Sequence, residues 1–462
     1  MDDLLKAIGA FVTSHILLHA ALLTPPSVLS HARLAAVFLP LIWSCNTYSW
    51  SFGLGYIASI HALWAAELLL FRDPRKDFAL LHFGSYSPLP PLPAIAIVEE
   101  KKDDSEEEIV TIAAVEDKPT LEDQEVNKDR PTEKVTTNGS HRIAWTEVYP
   151  ESWWKRFVWV SKLVISLRYI GWATSDTQII LYSSQPPPPS SKPRTTFVIQ
   201  KILVIALCIC IMDVTNLYQY FDPYMQIETP IDEAFPRRLG GFFAKYHLDF
   251  FSPRFIRIAV LGLQQYSLFT LVGAIPAALF VTVGGVGLVD DFWGRVENWP
   301  SLMGSPIAIA QKGLRGFWGI FWHQLFRNIL TGPGKALSRA LELPPKSTTA
   351  YAIQIIIAFG LSGALQSNTL PRNMSNISPL RYASFFWIHG ACVLYEIIVV
   401  RAAAMLGLNG PRPLWASTAL AFARVAWTGI VLYHTLPVIQ DELTRISRIF
   451  GLRTIYLLSL PE

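Results

Sequence analysis

NWPSLMGSPIAIAQKGLRGFWGIFWHQLFRNIL, residues Asn298 to Leu330, is the stretch around which this sequence is organised. It lies between long apolar runs, yet it carries several polar side chains among its aromatic ones: Lys312, Arg315, His323, Gln324 and Arg327. Polar groups close to membrane segments are costly to keep and commonly mark a functional site. From Arg315 onward, steps of four residues predict a helix with one polar stripe formed by Arg315, Gly319, His323 and Arg327.

Two interpretations of this stretch follow from the pattern alone. A helix with one polar and one aromatic face can lie at the membrane surface, where its aromatic side chains anchor it without any chemistry. The alternative is a reaction site that places a charged head group on the polar face and lipid or protein on the other.

The composition indicates a polytopic membrane protein, since 51% of the residues are hydrophobic and the mean hydropathy is +0.31. Because about 20 apolar residues cross the hydrocarbon core, we predict an all-α fold with about eight transmembrane helices, in a range of roughly seven to ten. The predicted helices are Leu4–Leu23, Leu34–Tyr48, Phe52–Phe71, Phe197–Tyr218, Ile256–Val289, Tyr351–Leu365, Tyr382–Met405 and Leu414–Leu436.

Interfacial or re-entrant helices are expected at two further places. The run from Ile256 to Val289 is long for one tilted span, and Pro276 predicts a break that leaves a re-entrant piece. The segment from Trp145 to Arg168 mixes tryptophan with lysine and arginine, which is typical of a helix in the head-group layer.

Charge divides the chain into three parts. Glu99 to Arg142 carries 14 acidic against 7 basic residues and is too polar to fold alone, so we predict a disordered insert at 99–142. The basic residues around it place 72–196 in a cytosolic loop, between the N-terminal transmembrane helices of 1–71 and a core at 197–462. The sequons at Asn373 and Asn376 then fall on the lumenal side.

Several functional classes lack their signatures. The four cysteines lie in or beside apolar runs and form neither a disulfide framework nor a metal-binding pattern. The sequence shows no Gly-rich phosphate loop, metal-ligand cluster or G-x-S-x-G elbow. We therefore expect no metal, no resident cofactor and no nucleic-acid partner, and the bilayer as the surroundings.

Trp299-Pro300 with Gly304, followed by GLRGFWGIFWHQLFR at Gly313–Arg327, resembles the wax-synthase-like branch of the membrane-bound O-acyltransferases. The signature of that branch is W-P-x-x-x-G followed by S-L-R-x-F-W-x-x-x-W-H. FGLSG at Phe359–Gly363 and FFWIHGACVLYE at Phe385–Glu396 are similar to its next two landmarks, in the same order. The resemblance covers roughly the carboxy-terminal half of the chain.

The resemblance implies a helical enzyme of the endoplasmic-reticulum membrane that uses acyl-CoA as co-substrate. The branch includes plant long-chain alcohol acyltransferases and fungal enzymes that acetylate secondary metabolites. The expected function is therefore transfer of an acyl group, acetyl in the first instance, to a hydroxyl of a lipophilic secondary metabolite. Wax ester synthesis on a long-chain alcohol is the enzymatic alternative.

The chain departs from the family pattern at one position. The second landmark of the family is S-G-x-x-H, whereas this chain has Gln366 in place of the histidine, and an amide cannot accept a proton at neutral pH. His389 occupies a position of the third landmark where fungal relatives are expected to have Gln. A degenerate member that binds lipid or a partner enzyme without catalysis is thus a further hypothesis.

Acyl transfer to a hydroxyl needs a base near neutral pKa, donors for the developing oxyanion and cations for the CoA phosphates. On this basis and on the resemblance, the predicted catalytic residues are His323 and His389. Glu396 lies seven residues after His389, on nearly the same helical face, and is expected to orient the His389 ring or another partner. The predicted substrate-binding residues are Arg315, Trp318, Trp322, Gln324, Arg327, Gln366 and Glu396.

Overall fold

The computed structural model describes residues 2–50, 54–83, 95–98, 111–114, 143–174, 193–226, 229–345, 347–370, 377–408, 410 and 413–450. Within these ranges, six helices are long and apolar enough to cross a membrane. They are Asp3–Leu23, Arg194–Phe221, Pro253–Gly285, Thr348–Ser367, Pro379–Met405 and Leu414–Ile446. The predicted polytopic helical architecture is confirmed, with a count just below the expected range.

The elements follow one another as α1 (Asp2–Leu23), α2 (His31–Ser49), α3 (Gly55–Ala66), α4 (Pro74–Asp77), β1 (Phe78–Phe83), β2 (Ile95–Val98), β3 (Thr111–Ala114), β4 (Ile143–Glu147), α5 (Trp153–Val164), β5 (Trp172–Thr174), α6 (Arg194–Phe221), α7 (Pro223–Gln226), α8 (Arg237–Lys245), α9 (Pro253–Gly285), α10 (Asp291–Gly294), α11 (Ile307–Lys312), α12 (Leu314–Gly316), α13 (Arg327–Ala340), α14 (Thr348–Ser367), α15 (Pro379–Met405) and α16 (Leu414–Phe450). Two π-helical turns, Glu67–Phe71 and Phe317–Phe321, continue α3 and α12.

Each predicted apolar helix has a counterpart among these elements. The two that are not among the six long spans are α2, which contains Pro40, and α3. The predicted break in the long run is wrong, because α9 continues through Pro276 and ends at Gly285. Proline removes one helical hydrogen bond, and a helix packed among others can tolerate that loss. The predicted interfacial segment contains α5, whose Trp153 and Trp154 are exposed while Trp159 is buried.

The N-terminal helices form a core with a small sheet that the sequence did not predict. β1 pairs antiparallel with β4 and with β5, in the order β4-β1-β5. Trp64 of α3 donates a 2.8 Å hydrogen bond to the Val164 carbonyl at the end of α5. The same core includes Phe326 and Leu365, so the N-terminal helices pack directly on the region of the sequence signature.

Some of the sequence predictions lie outside the described residues. These are the acidic insert of 99–142, apart from β3, and the asparagines of the two sequons at 373 and 376. β3 itself pairs antiparallel with β2. The predicted division into 1–71, 72–196 and 197–462 stays a prediction.

The signature segment, residues 298–330, is not one continuous helix, so the predicted polar stripe is wrong. The π-helical turn stops at Trp322, which has extended backbone angles of φ −68° and ψ 150°, and α13 begins anew at Arg327. The preceding loop supplies the reason: the Gly304 N–H donates to the Phe321 carbonyl at 2.8 Å, and the Gln324 N–H donates to the Leu302 carbonyl at 3.1 Å. These bonds take the place of further helical ones.

The close approach between the loop and the π-helical turn requires glycine at position 304. A Cβ atom at its position would lie 2.0 Å from the Ile320 carbonyl oxygen, well inside van der Waals contact. Glycine is the residue that allows two backbones to approach this closely. The glycine of the W-P-x-x-x-G turn thus has a physical reason, which is to let the loop end the π-helical turn.

The other end of the segment is held by Glu396 of α15. Its Oε1 accepts a 2.7 Å hydrogen bond from the Leu314 N–H, and its Oε2 accepts a 2.8 Å bond from the Arg315 N–H. Gly313 precedes them with φ +66°, in the left-handed region that favours glycine. A carboxylate at a helix N-terminus satisfies unpaired N–H groups and complements the helix dipole. The visible role of Glu396 is therefore structural, and a substrate contact stays a prediction.

The segment packs beside long helices and does not lie apart from them. Its Leu314 contacts Glu396 of α15 through the backbone N–H. Its Trp318 ring lies 6.1 Å from the ring of Phe385, on the same helix. These two positions are about 16 Å apart along α15. Phe359 of α14 contacts Trp318 from another side at 5.7 Å. The segment therefore runs between α14 and α15, and its place at the membrane surface stays a prediction.

A fully buried ion pair fastens the long helices to one another. Arg257 of α9 donates to both oxygens of Asp222, just after α6, at 2.7 and 2.8 Å. The same guanidinium donates to the carbonyls of Ile231 and Glu233, so every donor nitrogen of Arg257 is used. The Gln440 side chain of α16 donates to the Arg257 carbonyl at 3.0 Å, which adds a third helix. Such a geometry is needed for an ion pair to repay its desolvation.

Replacing Arg257 by methionine should destabilise the protein strongly, because it leaves the buried Asp222 without its cationic partner. Loss of one partner of a buried pair typically costs about 3–5 kcal/mol. The matched control is Arg254→Met, which removes an ion pair with the exposed Asp232 and should cost under about 1 kcal/mol. Thermal unfolding in detergent, followed by tryptophan fluorescence, compares the two. Equal melting temperatures would contradict the assigned role of Arg257.

Replacing Glu396 by glutamine should loosen the signature segment. The glutamine side chain keeps one acceptor oxygen but presents an NH₂ group to the second backbone N–H, so a buried donor loses its partner at a cost of about 1–3 kcal/mol. Glu342→Gln, at an exposed carboxylate, is the control. We expect a lower melting temperature for Glu396→Gln alone. If both variants melt like the wild type, Glu396 does not fasten the segment.

Candidate functional site

His323 lies directly after the π-helical turn, in the short connection to α13. Its ring stacks on Phe269 of α9 with a centroid distance of 3.9 Å and meets Phe326 edge-on at 5.5 Å. Its Nδ1 atom is buried, and no residue in the described part of the chain hydrogen-bonds to it. Burial lowers the pKa of His323 from its ordinary value of 6.5. His323 is thus a neutral imidazole at neutral pH with an unused nitrogen.

His389 has the opposite surroundings, because both of its ring nitrogens are engaged and its side chain is fully buried. The Trp318 indole N–H donates to Nδ1 at 2.9 Å, so that nitrogen must be the acceptor. The Nε2 atom then carries the proton and donates to the Thr435 hydroxyl at 2.7 Å, while that hydroxyl donates to the Val431 carbonyl. His389 therefore links the signature segment, α15 and α16. Its catalytic role stays a prediction, and it would first require the bond to Trp318 to break.

Gln324 stabilises the turn that presents His323. Its side-chain NH₂ donates to the Trp322 carbonyl at 2.6 Å and to the Trp318 carbonyl at 3.2 Å. The Trp318 carbonyl belongs to the π-helical turn and the Trp322 carbonyl directly follows it, where helical partners run out. Trp322 stacks on Phe317 with a centroid distance of 5.5 Å and an interplanar angle of 16°. These contacts position the turn, and substrate contacts of Gln324, Trp318 and Trp322 stay predictions.

Arg315 and Arg327 lie on different pieces of the segment. Arg315 is half-buried beside the Glu396 cap, whereas Arg327 is exposed in the first turn of α13. The Arg327 guanidinium donates one long hydrogen bond of 3.4 Å to the Gln324 Oε1 atom. A guanidinium has five N–H donors, and this is the one hydrogen bond that Arg327 donates from its side chain to the described residues. The stripe expected to join the two arginines does not form, and binding of CoA phosphates by either remains a prediction.

Gln366 lies near the end of α14, where its side chain meets the phenol of Tyr56 from α3. The Tyr56 ring contacts Phe326 edge-on at 6.1 Å, and Phe326 in turn contacts His323. Gln366 is therefore connected to His323 through Tyr56 and Phe326, while His389 shares hydrogen bonds with Trp318 and Thr435. The sequence did not single out Tyr56, because it lies in an apolar helix far from every motif.

Comparison with known proteins gives one family and several relatives. A profile of the Membrane bound O-acyl transferase family matches residues 299–369, which contain the signature segment, α13 and Gln366. Acetyltransferase ple2 of Rhodocybe pseudopiperita is 28% identical over 46% of this chain and 48% of its own length. Acetyltransferase eriL of Hericium erinaceus is 23% identical over 47% and 50%.

A shorter match is closer in sequence: Acetyltransferase ataH of Aspergillus terreus is 38% identical over 18% of this chain and 27% of its own length. The chain spans about half the length of the first curated relatives that it matches. No solved structure matches it. The segment from Trp299 to Thr369 thus carries the signature of the membrane-bound O-acyltransferases, and the resemblance inferred from the sequence, to this family and to fungal acetyltransferases, is confirmed.

Proposed function

We propose that this protein is a membrane O-acyltransferase that moves an acyl group, acetyl in the first instance, from acyl-CoA to a hydroxyl of a lipophilic secondary metabolite. The observation that carries the proposal is the unpaired Nδ1 of His323 inside the segment that matches the family. The three relatives named above are all called acetyltransferases, which supports acetyl as the transferred group. An endoplasmic-reticulum membrane is the setting that the family resemblance implies.

In the proposed reaction His323 is the general base. The acceptor hydroxyl gives its proton to the imidazole while its oxygen attacks the thioester carbonyl carbon. The carbon–sulfur bond then breaks, and the departing CoA thiolate takes the proton back from the imidazolium, which yields ester and free CoA. A base whose pKa lies at or below neutral pH is unprotonated in its resting state, as this step requires.

The aromatic side chains around His323 suit this chemistry. Phe269, Phe326 and Trp322 surround the imidazole and limit the access of water, which would compete with the alcohol for the acyl group. The segment packs against long apolar helices, which are suitable surroundings for a lipophilic acceptor. Arg327, in the first turn of α13, is the proposed contact for the CoA phosphates, and Arg315 is a second candidate.

Two other functions are distinguished by experiment. Gln366 in place of the expected histidine favours a degenerate member that binds lipid or a partner enzyme without turnover, because the amide cannot act as a base. The long-chain alternative, a wax ester synthase, would use a long-chain acyl-CoA as donor and a long-chain alcohol as acceptor in place of acetyl-CoA and a secondary metabolite. The wax ester alternative uses the same base as acetyl transfer, whereas the degenerate alternative does not need the unpaired nitrogen of His323.

Microsomes that contain the protein should form labelled ester from radiolabelled acetyl-CoA and a lipophilic alcohol, with farnesol and 1-hexadecanol as probes. Palmitoyl-CoA with 1-hexadecanol tests the wax ester alternative in the same membranes. Microsomes without the protein are the control. Preference for palmitoyl-CoA would shift the assignment to wax ester synthesis. If no acyl donor is consumed with any probe, the proposed function is wrong, and retained binding of acyl-CoA would then support the degenerate alternative.

His323→Ala should reduce turnover by at least about a hundredfold, the usual contribution of a general base, with little change in melting temperature. His389→Ala is the matched comparison, and it should lower the melting temperature because it leaves the Trp318 indole N–H unpaired. Full activity in His323→Ala, together with loss of turnover in a stably folded His389→Ala, would transfer the role of base to His389.

The pH profile gives an independent test of the base. Because the pKa of His323 is lowered by burial, its neutral form persists below pH 6.5, and activity is lost only as the pH falls through the lowered pKa. We therefore expect the midpoint of the acid limb of kcat/KM below pH 6.5, measured with farnesol and acetyl-CoA. A midpoint at or above pH 6.5 would contradict the assignment of a buried histidine.

A further inference from the structure

The N-terminal helices meet the candidate site at one defined place. The start of α3 packs against the end of α14, where the Asn368 side chain donates a 2.8 Å hydrogen bond to the Ser59 hydroxyl. Gly55 permits this contact, since a Cβ at its position would lie 3.0 Å from the Asn368 carbonyl oxygen. Ser59 and Asn368 are thus the link that holds α3 to α14 at this point.

Tyr56 lies one residue after Gly55 and makes a different kind of contact. Its hydroxyl interacts with the Gln366 side chain, and its ring meets Phe326 edge-on. Phe326 is also in contact with the His323 ring, so Tyr56 and the proposed base contact the same phenyl group. Tyr56, Gln366 and His323 are all half-buried, which leaves each partly accessible to a bound molecule.

The hydrogen-bonding capacity at this place exceeds what the protein uses. A glutamine amide offers two donors and two acceptor sites, and a phenol offers one donor and an acceptor. Among the described residues, Tyr56 is the side chain that Gln366 meets. Tyr382 of α15 adds a further hydroxyl nearby, next to Thr369. Ser59 and Asn368 already link α3 to α14, so the contact between Tyr56 and Gln366 is not needed to hold these two helices together.

We propose that Tyr56, paired with Gln366, binds an oxygen of the acceptor alcohol and thereby positions the reacting hydroxyl at His323. The phenol donates a hydrogen bond to that oxygen, and the aromatic rings of Tyr56 and Phe326 contact the apolar body of the acceptor. This inference rests on the proposed function. It assigns acceptor binding to a helix outside residues 299–369, so the N-terminal helices take part in acceptor selection.

The test compares Tyr56→Phe with Ser59→Ala in the full-length protein in detergent. Tyr56→Phe keeps the ring and removes the donor, so the KM for farnesol should rise roughly tenfold, as expected for one lost hydrogen bond, while the KM for acetyl-CoA stays unchanged. Ser59→Ala removes the link between α3 and α14 and should lower the melting temperature without changing either KM. Combining Tyr56→Phe with Gln366→Met should add little to the rise, because the two side chains act as a pair.

Binding of farnesol, measured by its effect on the melting temperature, separates this inference from the proposed function. A ligand that binds the folded state raises the melting temperature in a concentration-dependent way. Weaker stabilisation of Tyr56→Phe than of the wild type, without any consumption of acetyl-CoA, would keep the binding role and refute the acyltransferase. The inference would be overturned if the wild type and Tyr56→Phe had the same KM for farnesol and were stabilised equally by it. It would also be overturned by a Ser59→Ala variant that changes the KM for farnesol as much as Tyr56→Phe does, or by a wild type that does not bind farnesol.

Discussion

The carboxylate of Glu396 makes the contact on which the rest of the site depends. It accepts hydrogen bonds from two consecutive backbone N–H groups, those of Leu314 and Arg315, and so fixes where the signature segment starts on α15. Gly304 fixes the other end through the Phe321 carbonyl. Between these two points the segment has room for one short helix and one π-helical turn. His323 follows the turn, and its position is therefore set by contacts it does not itself make.

The two histidines of the site have identical side chains but different hydrogen-bonding surroundings, which suit them to different roles. His389 is surrounded by a donor and an acceptor, so its tautomer is determined and its ring is held in place. His323 is surrounded by aromatic rings, and its Nδ1 has no hydrogen-bond partner in the part of the chain that the structure describes. Burying a nitrogen without a partner costs free energy. Such a cost is commonly met at functional sites, where a substrate supplies the missing partner.

The N-terminal helices are part of the same assembly as the signature segment. Phe326 and Leu365 belong to one core with Trp64, Trp159 and Trp172, so the region that holds His323 rests on residues that precede it by more than a hundred positions. The buried Arg257–Asp222 pair fastens α9, the helix whose Phe269 stacks on the His323 ring. Well-packed surroundings of this kind allow a short, irregular connection to hold one imidazole in place.

The sequence by itself determined the helical membrane architecture, the positions of the apolar helices and His323 as a candidate. An apolar run of about 20 residues is a local signal, since each helix in lipid satisfies its own backbone hydrogen bonds. The signature region was likewise visible in one continuous stretch. Only the tertiary structure decided that the helix ends at Trp322, that Glu396 is a cap, that His389 is occupied and that Tyr56 faces Gln366. Each of these depends on an approach between residues far apart in the chain, and helical periodicity carries no signal for such contacts.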